Sequence, residues 1–214
     1  MSVRVKICCI QDSDELALVQ ALGADAAGLV SQMPSGQGTL PDAQIARLAA
    51  LATDALDTFL LTAETEADRI RAHHKRTRTS SIQLVDAVRP NAYEKLRASL
   101  PGIQLVQVVH VTGPSSIEQA VAWAELADAL LLDSGDPARR ELGGTGRTHD
   151  WGLSRKIVDR VTVPVWLAGG LHPGNVAEAI RQVRPYGVDV CSGLRPNGRL
   201  RTDLLRQFLA ATRT

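Results

Sequence analysis

The chain has 214 residues, with 24 Lys and Arg against 23 Asp and Glu, for a formal net charge of +1. That balance offers no basic excess for nucleic acid and no acidic block for a solvating tail, and aromatics at 3% are too few for a base-stacking surface. Apolar residues make up 44% and charged residues 22%, the composition of a soluble globular protein. No apolar run approaches the roughly 18 residues of a membrane span, and the charged opening Met-Ser-Val-Arg-Val-Lys is unlike a secretory leader. A chain of this length buries about 70% of its unfolded surface in one core. No linker or low-complexity tract divides it, so one domain over residues 1–214 is expected.

In chain order, short apolar or β-branched runs alternate with amphipathic Ala/Leu-rich segments. Strands are predicted at 3–9, 26–30, 58–61, 82–85, 105–109, 129–132, 163–168 and 188–191. Helices are predicted at 13–22, 41–52, 65–74, 92–99, 115–126, 152–158, 174–184 and 202–211. Several helix starts carry cap signals: Asp12 and Ser13 before Glu15, Pro41 before Asp42, and Pro173 ahead of Asn175. Eight strands alternating with eight helices are the parts of an α/β protein of the single-domain (β/α)8 TIM-barrel type. The near-continuous apolar strands suit a parallel sheet covered on both faces. A doubly wound open sheet is the competing fold. The chain is short for a barrel, so its loops must be short, with extra residues after strands two and six.

In such a barrel the chemistry sits at the C-terminal ends of the strands. The first strand closes Val5-Lys6-Ile7-Cys8-Cys9. Alternation puts Lys6 and Cys8 on one face and Val5, Ile7 and Cys9 on the other. The apolar set belongs under the helices, so Cys8 is expected to point into the mouth and Cys9 away from it. The sixth strand ends in four apolar residues and then Asp133, whose burial would raise its pKa and let it keep a proton as a general acid. Gly143-Gly144-Thr145-Gly146, Gly169-Gly170 and Ser192-Gly193 follow strands six, seven and eight. Glycine loops after strands seven and eight are where many barrels seat a substrate phosphate. His110 and His172 lie at the rim. His73-His74-Lys75-Arg76-Thr77-Arg78 reads as a solvated helix end whose cations suit the C-terminal dipole.

Cysteines number three, and an odd count with Cys8 and Cys9 adjacent is a poor disulfide framework. Free thiols in a reducing cytoplasm are the expectation, and a vicinal Cys8–Cys9 bond would be strained.

As a set, these segments resemble phosphoribosylanthranilate isomerase, a (β/α)8 enzyme of tryptophan biosynthesis. The resemblance rests on Val5-Lys6-Ile7-Cys8, Gly23-Ala24-Asp25-Ala26-Ala27-Gly28-Leu29-Val30, Leu131-Leu132-Asp133-Ser134, Gly143-Gly144-Thr145-Gly146-Arg147-Thr148 with Asp150-Trp151, Ala168-Gly169-Gly170-Leu171, and Val188-Asp189-Val190-Cys191-Ser192-Gly193. It implies an Amadori rearrangement with Cys8 as general base and Asp133 as general acid. It assigns the substrate phosphate to Gly144, Gly146, Gly169, Gly170, Ser192 and Gly193, with Lys6, Gln37 and Asp189 as further substrate contacts. No metal and no cofactor are implied. The expected partner is a small phosphorylated substrate, with no nucleic acid or membrane, and the protein is a monomer or homodimer.

Four departures cluster around the aryl half of the substrate. Cys9 stands where the family usually has Gly. Gln37 lies nearest the place of a second-loop Arg that pairs with the anthranilate carboxylate. Phe59-Leu60-Leu61-Thr62 replaces a Val-Phe-Val type run, and Gln83-Leu84-Val85-Asp86 replaces Gln-Leu-His-Gly. Arg89 or Arg147 could supply the missing cation. A lyase or synthase on another phosphorylated compound, or a non-catalytic phosphate-ligand-binding paralogue, remain alternatives on the same scaffold.

Overall fold

The computed structural model describes residues 3–33, 38–135 and 148–213. Eight parallel strands close on themselves in sequence order: β1 (Arg4–Ile7), β2 (Ala26–Val30), β3 (Asp57–Thr62), β4 (Ser81–Leu84), β5 (Gln104–His110), β6 (Ala129–Asp133), β7 (Val165–Leu167) and β8 (Gly187–Val190). Each is followed by a helix: α1 (Ser13–Ala21), α2 (Asp42–Leu51), α3 (Ala67–Thr77), α4 (Pro90–Ser99), α5 (Ser115–Ala124), α6 (Trp151–Arg160), α7 (Val176–Val183) and α8 (Thr202–Ala211). The single-domain (β/α)8 barrel expected from the alternation is therefore the observed fold, and the open sheet is excluded because β1 pairs with β8 over four residue pairs. The longest connection follows β6, and those after β2 and β8 are equal and next in length, so the extra residues expected after strands two and six are also found after strand eight. No helix among the described residues is long and apolar enough to cross a membrane.

Strand alternation sorts the core into two clusters. Outward residues such as Val5, Ile7, Leu60, Leu105, Leu132 and Val188 pack under the helices, while Phe59, Val106, Val108, Leu131 and Trp166 fill the barrel. Phe59 and Trp166 meet edge to face at 5.9 Å between ring centroids and form the floor beneath the mouth. Gly187 leaves the room that Trp166 takes, because a Cβ there would lie 2.5 Å from the indole ring.

Local signals set the helix ends. Asp12 caps α1 by accepting from Glu15 N at 2.9 Å, which satisfies one of the helix's free donors, and Glu15 Oε2 accepts from the N–H of Gln11, the residue before the cap, at 3.0 Å. Helix α3 runs to Thr77, past the expected end at His74, and stops where Arg78 turns left-handed (φ 55).

The expectation of a solvated end for α3 is corrected at its histidines. His73 and His74 are buried. His73 bridges Thr62 Oγ1 at 2.9 Å and Asp42 Oδ1 at 3.1 Å, and His74 Nε2 meets the Thr79 carbonyl at 2.8 Å. The His73 ring faces α2 and β3 because α3 packs against both, while His74 turns to the segment that leaves α3 for β4.

Candidate active site

Alternation carries a polar group inward at the C-terminal end of several strands. On β1 these are Lys6 and, just past the strand, Cys8. On β8 they are Asp189 and, just past it, Cys191. On β5, His110 follows the inward Val106 and Val108, and on β6 Asp133 follows the inward Ala129 and Leu131. His110 and Asp133 are partners in strand register. The mouth thus gathers a thiol, an imidazole and a carboxyl, with an ammonium–carboxylate pair beneath the thiol.

That pair is Lys6 Nζ and Asp189 Oδ2 at 2.9 Å, with the Lys6 side chain fully enclosed. Burial opposes the charge on Lys6, but Asp189 and Cys8 outweigh it and hold the ammonium above its ordinary value. Burial pushes the Asp189 carboxyl up, with Lys6 opposing. Gly28 on β2 makes the packing possible, since a Cβ at that position would lie 2.7 Å from Cys8 Sγ and 3.2 Å from Lys6 Nζ. Burial raises the Cys8 thiol to about 11 even with Lys6 beside it. The Asp133 carboxyl is also pushed up by burial, against the Ser134 N–H that bonds Oδ1 at 2.7 Å and the charge of His110. A carboxyl that keeps its proton toward neutral pH can act as an acid, and a thiol beside an ammonium can act as a base.

His110 Nε2 donates to the Val85 carbonyl at 3.1 Å, and its Nδ1 is buried with no hydrogen-bond partner among the described residues. Val85 is the position where the fourth-strand motif noted above would carry its own histidine. An imidazole therefore reaches this part of the mouth from the neighbouring strand. Arg89 is exposed at the N-cap of α4.

The glycine loops after β7 and β8 meet backbone to backbone. Gly169 and Gly170 adopt positive φ (83 and 62), and a Cβ on Gly169 would sit 2.9 Å from Ser134 Oγ. A Cβ on Gly193, in the short 3-10 turn Ser192–Leu194, would lie only 2.0 Å from the Leu171 carbonyl oxygen. Only glycine permits this nesting of loops six, seven and eight. Gln37, Gly144 and Gly146, with Arg147, lie outside the described residues.

Two features of the first loop were not foreseen. Cys9 was expected to turn away from the mouth and to stay free. Its backbone is instead left-handed (φ 64), the alternation stops at Cys8, and Cys9 joins Cys191 in a disulfide with Cα atoms 5.9 Å apart. Cys8 is the free cysteine. A left-handed backbone is the natural place for glycine, which accounts for the glycine usual in the resembling family. Beside it, Arg195 makes a buried bidentate pair with Glu15, 2.8 Å on each arm, and Leu200 N donates to the same carboxylate at 3.1 Å. The eighth loop is thereby tied to the first loop by the disulfide and to α1 by the ion pair. Odd cysteine count and a helix-cap glutamate were the only traces of these ties in the sequence.

A closed (β/α)8 barrel with proton-handling side chains and glycine loops gathered at one mouth is a barrel enzyme. Comparison with known proteins makes the class specific. Residues 5–211 match the family model of N-(5'-phosphoribosyl)anthranilate isomerase. The isomerase of that name from Haloferax volcanii is 39% identical over 213 residues, covering 99% of this chain and 93% of its own. The solved phosphoribosyl anthranilate isomerase of Thermococcus kodakaraensis is 31% identical, with a TM-score of 0.83 and complete coverage of both chains. Another solved member, holding reduced 1-(o-carboxyphenylamino)-1-deoxyribulose 5-phosphate, is 26% identical with a TM-score of 0.82 over 98% of each chain. The chain belongs to the N-(5'-phosphoribosyl)anthranilate isomerase family, and it is an isomerase of the tryptophan-biosynthesis type.

Proposed function

We propose that the enzyme converts N-(5-phosphoribosyl)anthranilate, or a closely related phosphorylated aminoaldose, to its 1-amino-ketose, with Asp133 as general acid and Cys8 as general base. The observation that carries this reading is the placement of the two groups. Both sit at inward strand ends of one mouth, and Asp133 lies close enough to the Lys6–Asp189 pair under Cys8 to feel its charges. The aryl-amino sugar phosphate held by the related solved structure is the same chemical class.

Asp133 gives its proton to the ribose ring oxygen as the C1–O bond breaks, and the amine lone pair forms the C1=N bond. The Cys8 thiolate then takes the C2 proton. The C–H electron pair becomes the C1=C2 bond, and the C=N pair returns to nitrogen. The enolamine collapses by losing the C2 hydroxyl proton and gaining one at C1. Carbon 1 is reduced and carbon 2 oxidised within one molecule, so the electron count closes without an external oxidant. Each acid–base group contributes typically about 10²–10⁴-fold.

The nested loops of Gly169, Gly170, Ser192 and Gly193 are the seat of the phosphate in this reading, joined by Gly144 and Gly146. Gln37 is a further substrate contact in this reading. The enzyme works in the cytoplasm, as a monomer or homodimer. The test is direct turnover, followed by loss of anthranilate fluorescence, for wild type, Cys8→Ser and Asp133→Asn. Both variants should lose turnover at least about 100-fold while still binding a ribose-phosphate analogue. Full activity in either one removes that residue's role.

A further inference from the structure

We infer that Lys6 is a positioning residue for proton abstraction: its ammonium steadies the Cys8 thiolate from below, and Asp189 holds the ammonium there. The inference rests on the reading of Cys8 as the base. It reassigns Lys6, which the family resemblance placed among the substrate contacts.

The geometry has three parts. Cys8 Sγ and Lys6 Nζ both lie within 3.2 Å of a single point, the place where a side chain on Gly28 would begin. The Lys6 side chain has no exposed surface, so it has no path to a ligand seated above the mouth. Its ammonium is anchored on Asp189 Oδ2 at 2.9 Å and lies 5.2 Å over the Phe59 ring, which leaves it facing the thiol from a fixed position. A thiol in an apolar cavity is a poor base because its anion is unsolvated. A fixed cation supplies the missing solvation without moving during the reaction. The other charges acting on Cys8 are Asp189 and Arg195, whose Nη2 lies 3.5 Å from the Cys8 carbonyl oxygen. Asp189 Oδ1 is buried with no hydrogen-bond partner among the described residues, and the carboxylate is held by Lys6 and by the Val190 backbone N–H.

The experiment compares iodoacetamide alkylation of Cys8 at pH 8, read by mass spectrometry of its peptide, in wild type, Lys6→Met and Asp189→Asn. Without the ammonium, the thiolate fraction should fall and alkylation should slow about tenfold, equivalent to one pH unit. With Asp189 replaced by Asn, the buried ammonium loses its anchor and the charge that keeps it protonated, so alkylation should slow as well. A merely loosened fold would speed both variants. The kinetic readout is a split: Lys6→Met should lower kcat at least about tenfold and leave KM within about twofold. Alkylation that speeds up in either variant, or does not move in Lys6→Met, overturns the inference. So does a rise in KM with kcat preserved, which would return Lys6 to the substrate. Cys8→Ser separates the two levels: turnover retained by that variant overturns the base assignment itself, whatever alkylation shows.

Discussion

Replacing Gly28 by Ala adds one methyl group inside the barrel, at the point where β2 passes Cys8. The new Cβ would lie 2.7 Å from Cys8 Sγ, 3.1 Å from Cys8 Cα and 3.2 Å from Lys6 Nζ. A comfortable contact with sulfur is about 3.7 Å, so the thiol must withdraw by about 1 Å, and the backbone beside it blocks the easy direction. Overpacking of this kind costs about 1–3 kcal/mol, and removing a strand glycine returns about 0.5–1 kcal/mol. The net loss is about 1–2 kcal/mol, or about 2–8 °C in Tm for a chain of this size. Catalysis should suffer more, because a 1 Å misplacement of a reacting group can lower the rate about 100-fold. Urea unfolding gives the first quantity and steady-state turnover the second. Gly102→Ala is the control. Unlike Gly28, that residue has a backbone unsuited to Ala (φ 82), but a Cβ there would touch nothing within 4 Å. It should lose about 1–2 kcal/mol from backbone strain alone, with kcat unchanged. Wild-type kcat in Gly28→Ala would refute the placement of Cys8 Sγ against β2, and with it the argument that Gly28 shapes the base.

Further outcomes follow from the same geometry. Thiol counting with a chromogenic disulfide reagent should find one free cysteine in the protein kept from reductant and three after reduction, and reduction should lower stability by about 2–4 kcal/mol because the bond spans 182 residues. Three thiols at the outset would contradict the Cys9–Cys191 bond. Arg195→Met should destabilise by about 3–5 kcal/mol by stranding the buried Glu15 carboxylate, and Glu15→Gln in addition should recover part of it. Burial opposes the charge on Glu15, but Arg195 and two backbone N–H groups outweigh it and hold the carboxyl below its ordinary value. The pair's contribution is therefore complete above the unfolded carboxyl pKa of about 4.3 and is lost as pH falls through the lower folded value. Stability curves of wild type and Arg195→Met should converge only in acid. The rate profile should rise with pH through the raised Asp133 titration, then hold level toward the thiol at about 11. In that interval the productive form, acid protonated and thiol ionised, is a constant small fraction. A fall in kcat/KM beginning below pH 9 would contradict that assignment.

Most of the barrel was legible from the chain alone because its information is local. Period-two alternation in runs such as Val5-Lys6-Ile7 fixes which side chains enter the barrel, and a run like Ala129–Asp133 announces both a buried strand and the carboxyl at its end. Cap residues such as Asp12 mark helix starts within a single turn. The same periodicity put Cys8 and Asp133 at the mouth. It failed at Cys9, where one left-handed residue ends the alternation, and at His73 and His74, where contacts with α2 and with the Thr79 carbonyl overrode an apparently polar surface.

What the tertiary structure decided were the relations between residues far apart in the chain. Barrel closure brings β8 beside β1, and only then do Lys6 and Asp189, Cys9 and Cys191, and Glu15 and Arg195 become pairs. Each of these residues reads from sequence as an isolated charge or thiol with several possible partners. Their chemistry depends on distances and burial that arise when both ends of the chain share one sheet. Local interactions are encoded in neighbouring residues, but the solvation of a buried thiol depends on whatever the closed fold sets beside it.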